Sequence, residues 1–235
     1  MDLLADGAQR LGLKLSQEQL ARFELYYREL TEWNQRVNLT AIVAYDEMQV
    51  KHFLDSLTLA PVLPSQASLR LLDVGTGAGL PGLPLKILYP GMRLTLVDSV
   101  AKKTAFLRHL VARLGLDAVE VMTGRAEDLA RQEGYRERFE VVVSRGVAAL
   151  STLAELTLPF CHLGGIFVAQ KKEDVSQEIE RAARAIATLG GRVREVRRAE
   201  VDGLLQDRVL VIIEKVAPTP SRYPRRAGMP TKRPL

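Results

Sequence analysis

The chain has one cysteine, three histidines and no apolar run of the roughly eighteen residues that a membrane helix needs. A single thiol, Cys161, closes no internal disulfide, which suits a reducing, cytoplasmic compartment. It lies in the apolar run 156–163, where it reads as a small packed hydrophobe. His52, His109 and His162 show no metal-ligand spacing and no cysteine pair joins them, so no metal site is expected. A G-x-S-x-G nucleophile motif is missing. The first residues lack the basic-then-apolar pattern of a signal peptide, so the sequon Asn38-Leu39-Thr40 carries no weight. No internal repeat is visible.

Acidic residues are absent from one stretch. Residues 216–235 hold Arg222, Arg225, Arg226, Lys232 and Arg233 with no aspartate or glutamate, and five of the eleven prolines. Without these five cations the rest of the chain carries 28 basic and 28 acidic side chains, so the net charge of +5 belongs to the tail. Proline at this density excludes a helix or an inner strand. The tail is either a solvated end or a basic arm laid along phosphates.

What is present is a core: 235 residues with 47% hydrophobic content support one sizeable domain. Residues 1–64 read as a helical extension packed on the main domain. Ser16 and Gln19 form a capping box, and Leu20, Phe23, Tyr27, Leu30 and Trp33 recur at helical spacing. A turn at 34–40 follows, then a second helix from about Asp46, ended by Pro61 and Pro64. Residues 65–216 alternate strand and helix. Strands are expected at 70–74, 94–97, 119–122, 139–143 and 164–170, with helices ending near Gly115 and spanning 126–133, 150–160 and 175–189. The last two strands, 192–197 and 208–214, are joined too closely for a crossover helix and should pair antiparallel. This is an α/β, Rossmann-like, mostly parallel sheet with a terminal antiparallel hairpin. Residues 217–235 form the basic, proline-rich tail.

The organising stretch is 69–98: a strand, the turn Gly75-Thr76-Gly77-Ala78-Gly79-Leu80-Pro81-Gly82, a short helix, and a strand closed by Asp98. Glycines let the backbone lie against a ligand, and a carboxylate at the next strand's tip can accept both ribose hydroxyls. A lone G-x-G-x-x-G is weak. The form G-x-G-x-G, the prolines where a pyrophosphate would need helix N–H groups, and the closing hairpin all argue against a dinucleotide. A phosphate-free nucleoside such as S-adenosylmethionine fits better, with Gly75 and Gly77 at its methionine end, Asp98 on the ribose and Ala126-Glu127 clamping the adenine. Ligands on such sheets sit beyond the carboxyl ends of the strands, which places 75–82, 98–103, 125–127 and 144–146 on one rim. Lys51, His52 and Asp55 fall at helical spacing and read as a capping or salt-bridged face.

Several collinear blocks then resemble one bacterial family. They are Trp33-Asn34 with Val37-Asn38-Leu39-Thr40-Ala41, Lys51-His52-Phe53-Leu54-Asp55-Ser56-Leu57, Asp73 through Gly82, Ser144-Arg145, and the tail from Pro218 through Pro230. Together they look like the small-subunit ribosomal RNA guanine-N7 methyltransferases, also called glucose-inhibited division protein B. Gly146 stands where many members have alanine. The resemblance implies a class I, S-adenosylmethionine-dependent enzyme, a cytoplasmic monomer that methylates N7 of one guanine of 16S ribosomal RNA near the decoding region, on RNA, the 30S subunit or an assembly intermediate. It implies cofactor contacts at Gly75, Thr76, Gly77 and Leu80, at Asp98, Ser99 and Val100, at Ala126 and Glu127, and at Arg145, which would face both cofactor and base. Arg125, Lys171 and Arg208 match basic positions associated with activity or RNA contact. Arg222, Arg225, Arg226, Lys232 and Arg233 are the tail's RNA-binding candidates, with Lys171, Lys172 and the cluster Arg192, Arg194, Arg197 and Arg198 as further cations.

Guanine N7 carries a lone pair and no proton, so its alkylation needs alignment and electrostatics but no general base. Arg145 is therefore an orienter, since arginine stays protonated. The bland reading of Arg145 is a brace, paired with Asp73 or Glu127. Arg192–Arg198 can equally be a charged edge strand. Two other functions stand beside the RNA enzyme: a methyltransferase of a small molecule or protein, and a non-catalytic RNA-binding protein with a relic cofactor fold.

Overall fold

A computed structural model describes residues 1–64, 68–172, 175–201, 203–205 and 208–235. Seven strands form one sheet: β1 (Arg70–Val74), β2 (Arg93–Asp98), β3 (Val119–Thr123), β4 (Phe139–Arg145), β5 (Cys161–Lys172), β6 (Gly191–Arg198) and β7 (Arg208–Lys215), in the order β3-β2-β1-β4-β5-β7-β6. The first five run parallel, and β7 pairs antiparallel with both β5 and β6. This is the mostly parallel sheet with a closing hairpin that the alternation implied. Strand β5 is longer than its apolar run because Lys171 and Lys172 pair with Val209 and Arg208 of β7. The expected boundary between 64 and 65, and part of the loop joining β6 to β7, fall on residues outside the described ones.

Period-two alternation sends neighbouring strand residues to two cores. Leu71, Val141, Val143, Ile166, Val168, Leu210 and Ile212 face one side, where they meet buried residues of α1 (Asp2–Arg10), α2 (Gln17–Asn34), α5 (Gly82–Leu88) and α6 (Ala101–Arg113). Leu72, Val142, Phe167, Ala169, Val211 and Ile213 face the other, under α7 (Ala126–Leu129), α8 (Leu150–Thr157) and α9 (Ser176–Thr188). The helices before the sheet therefore share a core with it. The capping box at Ser16 forms, and Gln19 also donates to Ile87 O and Leu88 O at the end of α5, so one side chain starts α2 and docks it.

Two helices differ from expectation. The helix from Ala126 stops at Leu129, because the following turns tighten to i→i+3 bonds such as Gln132 N–H to Leu129 O. The helix expected from Asp46 is three short pieces: α3 (Tyr45–Met48), a π-helical turn (Gln49–Leu54) and α4 (Asp55–Leu57). Within the π-turn both ring nitrogens of His52 have partners. Thr40 Oγ1 accepts from Ile42 N–H and meets His52 Nε2 at 2.7 Å, while Nδ1 lies 3.1 Å from Lys51 O. Asn34 ties the preceding turn, accepting from Leu39 and Thr40 N–H and donating to Thr40 O. The first two sequence blocks are thus one hydrogen-bonded unit.

The basic tail packs on the second core. Arg136 donates to Thr219 O and Tyr223 O, Arg131 to Pro224 O, and Thr219 N–H donates to Glu137. Tyr223 and Pro230 are buried. Contrary to the expectation from proline density, the tail holds one helical turn, α10 (Met229–Lys232), because Pro230 falls at its start, where a missing N–H breaks no helical bond. It closes against α8 through Thr152 Oγ1 and Pro230 O.

Candidate active site

The site begins with the turn after β1. Gly75 has φ +71, and a Cβ there would stand 2.5 Å from Val147 Cγ2, so both the conformation and the space require glycine. Beneath the turn Asp73 is fully buried. Its Oδ2 accepts from Thr76 Oγ1 (2.7 Å) and Gly82 N–H (2.9 Å), while Oδ1 has no partner among the described residues. Burial pushes this carboxyl up to about 6. Tyr26 of α2 donates its hydroxyl to Ala78 O at 2.6 Å and so pins the turn from the other side.

A cavity of about 300 Å³ opens at the carboxyl ends of β1, β2 and β3. It is walled by Gly75 and Val74, by Asp98, Ser99 and Val100, by Arg125, Ala126 and Glu127, and by Val147 and Leu156. Asp98 accepts from Gly77 N–H (3.0 Å) and Val100 N–H (2.9 Å), one bond per oxygen. A carboxylate has about four acceptor sites, so each oxygen keeps one for a ligand hydroxyl. The residues fit an adenosyl group: a glycine-floored cleft, a half-satisfied carboxylate at a strand tip and apolar walls. No cluster of histidine, cysteine, aspartate or glutamate suited to a metal occurs among the described residues.

Of the expected cofactor residues, the cavity gathers Gly75, Asp98, Ser99, Val100, Ala126 and Glu127. Thr76 turns inward to Asp73, Gly77 contributes its N–H to Asp98, and Leu80 is buried in the first core. Glu127 accepts from Gly228 N–H at 2.8 Å, so the tail reaches the cavity wall. Lys103, at the end of the expected rim segment 98–103, lines the cavity; Val147 and Leu156 line it without having been singled out, and their types carry no signal that the sequence alone could offer.

Arg145 pairs with neither Asp73 nor Glu127. Its Nη1 lies 2.9 Å from Asp55 Oδ2, and Arg208 Nε lies 2.7 Å from Asp55 Oδ1. Gln170 Nε2 donates to the same Oδ1 (2.9 Å) and to Asp55 O (2.6 Å). Arg145 and Gln170 are register partners on β4 and β5, next to the cavity residues Gly146 and Val147. Asp55 has no exposed side-chain surface. Burial pushes its carboxyl upward, and the two guanidiniums pull it back only in part. Burial, and after it Arg145 and Arg208, push His52 down to about 4.

The remaining basic residues fall into two groups. Lys171 is held by Ala148 O (2.9 Å) and Glu178 (2.6 Å), and Arg225 by a bidentate pair with buried Glu155 at 2.6 and 2.9 Å. Arg125, Arg226, Lys232 and Arg233 are exposed and form no side-chain hydrogen bond or ion pair among the described residues; Arg222 lies only over the Tyr223 ring. Arg192, Arg197 and Arg198 sit on the outermost strand, paired with Glu214, Glu195 and Glu200.

Residues 19–206 match the family described as rRNA small subunit methyltransferase G. The chain belongs to that family. It is 49% identical to the ribosomal RNA small subunit methyltransferase G of Dehalococcoides mccartyi over 235 residues, the whole of both chains. It is 50% identical to that of Roseiflexus castenholzii, again over the whole of both. Among solved structures it is similar to a geranyl diphosphate methyltransferase in complex with SAM, with TM-score 0.54, 16% identity and 69% of this chain and 84% of that one covered. Such a likeness concerns the fold, that of class I methyltransferases. The chain is an rRNA methyltransferase, and S-adenosylmethionine is its methyl donor.

Proposed function

We propose that this methyltransferase, a cytoplasmic monomer, methylates N7 of a guanine in 16S ribosomal RNA near the decoding region, as RNA or within the 30S subunit or its precursor. The observation that carries the reading is the meeting of the glycine-floored cavity with the Asp55–Arg145–Arg208 group on one rim. No described residue of that rim is arranged as a nucleophile, and none is needed. S-adenosylmethionine supplies an electrophilic methyl group; the N7 lone pair forms the new bond while the carbon–sulfur pair returns to sulfur, and no proton moves.

In this reading Gly75 and Gly77 give close backbone approach to the methionine end. Asp98 takes the ribose hydroxyls, Val100 with Ala126 and Glu127 border the adenine, and Arg145 orients the base. Leu80 supports the turn from within the core, and Thr76 does so through Asp73. RNA is held through phosphates by the exposed cations Arg125, Arg222, Arg226, Lys232 and Arg233. Arg225 and Lys171 shape that surface through their ion pairs.

Incubation with labelled methyl donor and unmodified small-subunit RNA, free or in 30S particles, tests the reading. Label mapped to N7 of one guanine is the expected result. Label on another atom, or on protein or small molecules alone, overturns it.

A further inference from the structure

Asp55 has three side-chain partners, and each comes from a different strand: Arg145 on β4, Gln170 on β5 and Arg208 on β7. Two guanidiniums drawn to one small carboxylate repel each other, and the charge between them offsets one of the pair. Docking of α4 does not need that charge, because Gln170 Nε2 also bonds the Asp55 backbone carbonyl at 2.6 Å. Arg208 binds Asp55 through Nε alone. Its two Nη groups have no hydrogen-bond partner among the described residues, and its side chain keeps 15% exposure beside Arg145 at 17%.

We propose that Asp55 is a positioning residue for methyl transfer, holding Arg145 and Arg208 as a donor pair of net single charge for the carbonyl edge of the target guanine. The inference rests on the guanine-N7 reading above. Guanine presents O6, an acceptor, beside N7 on the same edge, where adenine presents an amino donor. Unspoken-for guanidinium N–H groups therefore accept guanine and reject adenine. Alkylation at N7 also leaves the purine positively charged. Two unbalanced cations at that edge would oppose the charge as it develops, and the carboxylate between them halves the opposition.

Single-turnover transfer of labelled methyl groups into small-subunit RNA, with RNA and donor saturating, tests this. Wild type is compared with Asp55→Asn, Arg208→Gln and the double variant, and donor affinity is measured by calorimetry. Asp55→Asn is expected to slow transfer about 100-fold, the scale of a misaligned reacting pair, with donor Kd held within about threefold. Arg208→Gln is expected to slow it about tenfold, and Asp55→Asn to cost at least about tenfold less in that background than in wild type. A purely structural brace would lower melting temperature without this coupling. Full rate in Asp55→Asn, or equal losses in both backgrounds, overturns the proposal. Should Asp55→Asn fail to fold, Arg208→Gln decides, because it leaves the contacts of Asp55 with Arg145 and Gln170 intact; a wild-type rate there overturns the proposal. Wild-type protein that labels no guanine N7 instead overturns the functional reading, and the inference falls with it.

Discussion

His52 and Asp73 titrate against each other. His52, ordinarily near 6.5, is held at about 4 by burial and then by Arg145. Between those values the unfolded chain binds a proton that the folded chain refuses, so the histidine lowers stability as pH falls from 6.5 toward 4. Asp73, ordinarily near 3.8, is raised to about 6, so the folded chain keeps a proton that the unfolded chain has lost, and stability falls as pH rises through that window. The two effects oppose each other between pH 4 and 6. Urea unfolding at pH 7 and pH 5 is expected to show His52→Asn changing more favourably on acidification than wild type, by about 2 kcal/mol. An equal change in both proteins would show that His52 titrates normally. Gly75→Ala is expected to cost about 1 kcal/mol from positive φ and to weaken donor binding at least about tenfold, read by calorimetry. Its Cβ would also meet Val147 at the cavity wall.

At the scale of elements, the C-terminal strap separates neighbours of identical chemistry. Arg225 and Arg226 are adjacent arginines in a basic stretch, yet Arg225 grips Glu155, whose side chain is 1% exposed, while Arg226 points to solvent. Arg225→Ala leaves a buried carboxylate without its partner and is expected to cost about 3 kcal/mol in urea unfolding. Arg226→Ala is expected to stay within about 0.5 kcal/mol. The π-helical turn shows the same dependence on surroundings. Its residues were legible as a helix, but its tie to Thr40 through His52, and the tie of the following Asp55 to two distant arginines, come only from the tertiary structure.

Across the whole molecule, the exposed cations Arg222, Arg226, Lys232 and Arg233 lie on the tail and Arg125 on the cavity wall, and the tail touches that wall through Gly228 and Glu127. One surface thus joins the donor cavity to the proposed RNA contacts. Replacing Arg222, Arg226, Lys232 and Arg233 by glutamine is expected to reduce the slope of log affinity against log salt by about 3, near 0.7 to 0.9 per phosphate contact. Donor affinity measured by calorimetry is expected to stay unchanged, since none of these four lines the cavity. An unchanged salt slope would remove the tail from the RNA surface.

Residue order by itself determined the alternating strands and helices, the glycine turn, the acid at the tip of β2 and the closing hairpin, because these follow from periodicity and turn chemistry over short spans. Only the tertiary structure decided which charges are engaged. Asp55 meets Arg145 and Arg208 across 90 and 153 residues, and Arg225 meets Glu155 across 70. Nothing local distinguishes a paired arginine from a free one. Ion pairing depends on which strand ends and loops the sheet order brings to the same rim, and that order is fixed by burial on both faces of the sheet.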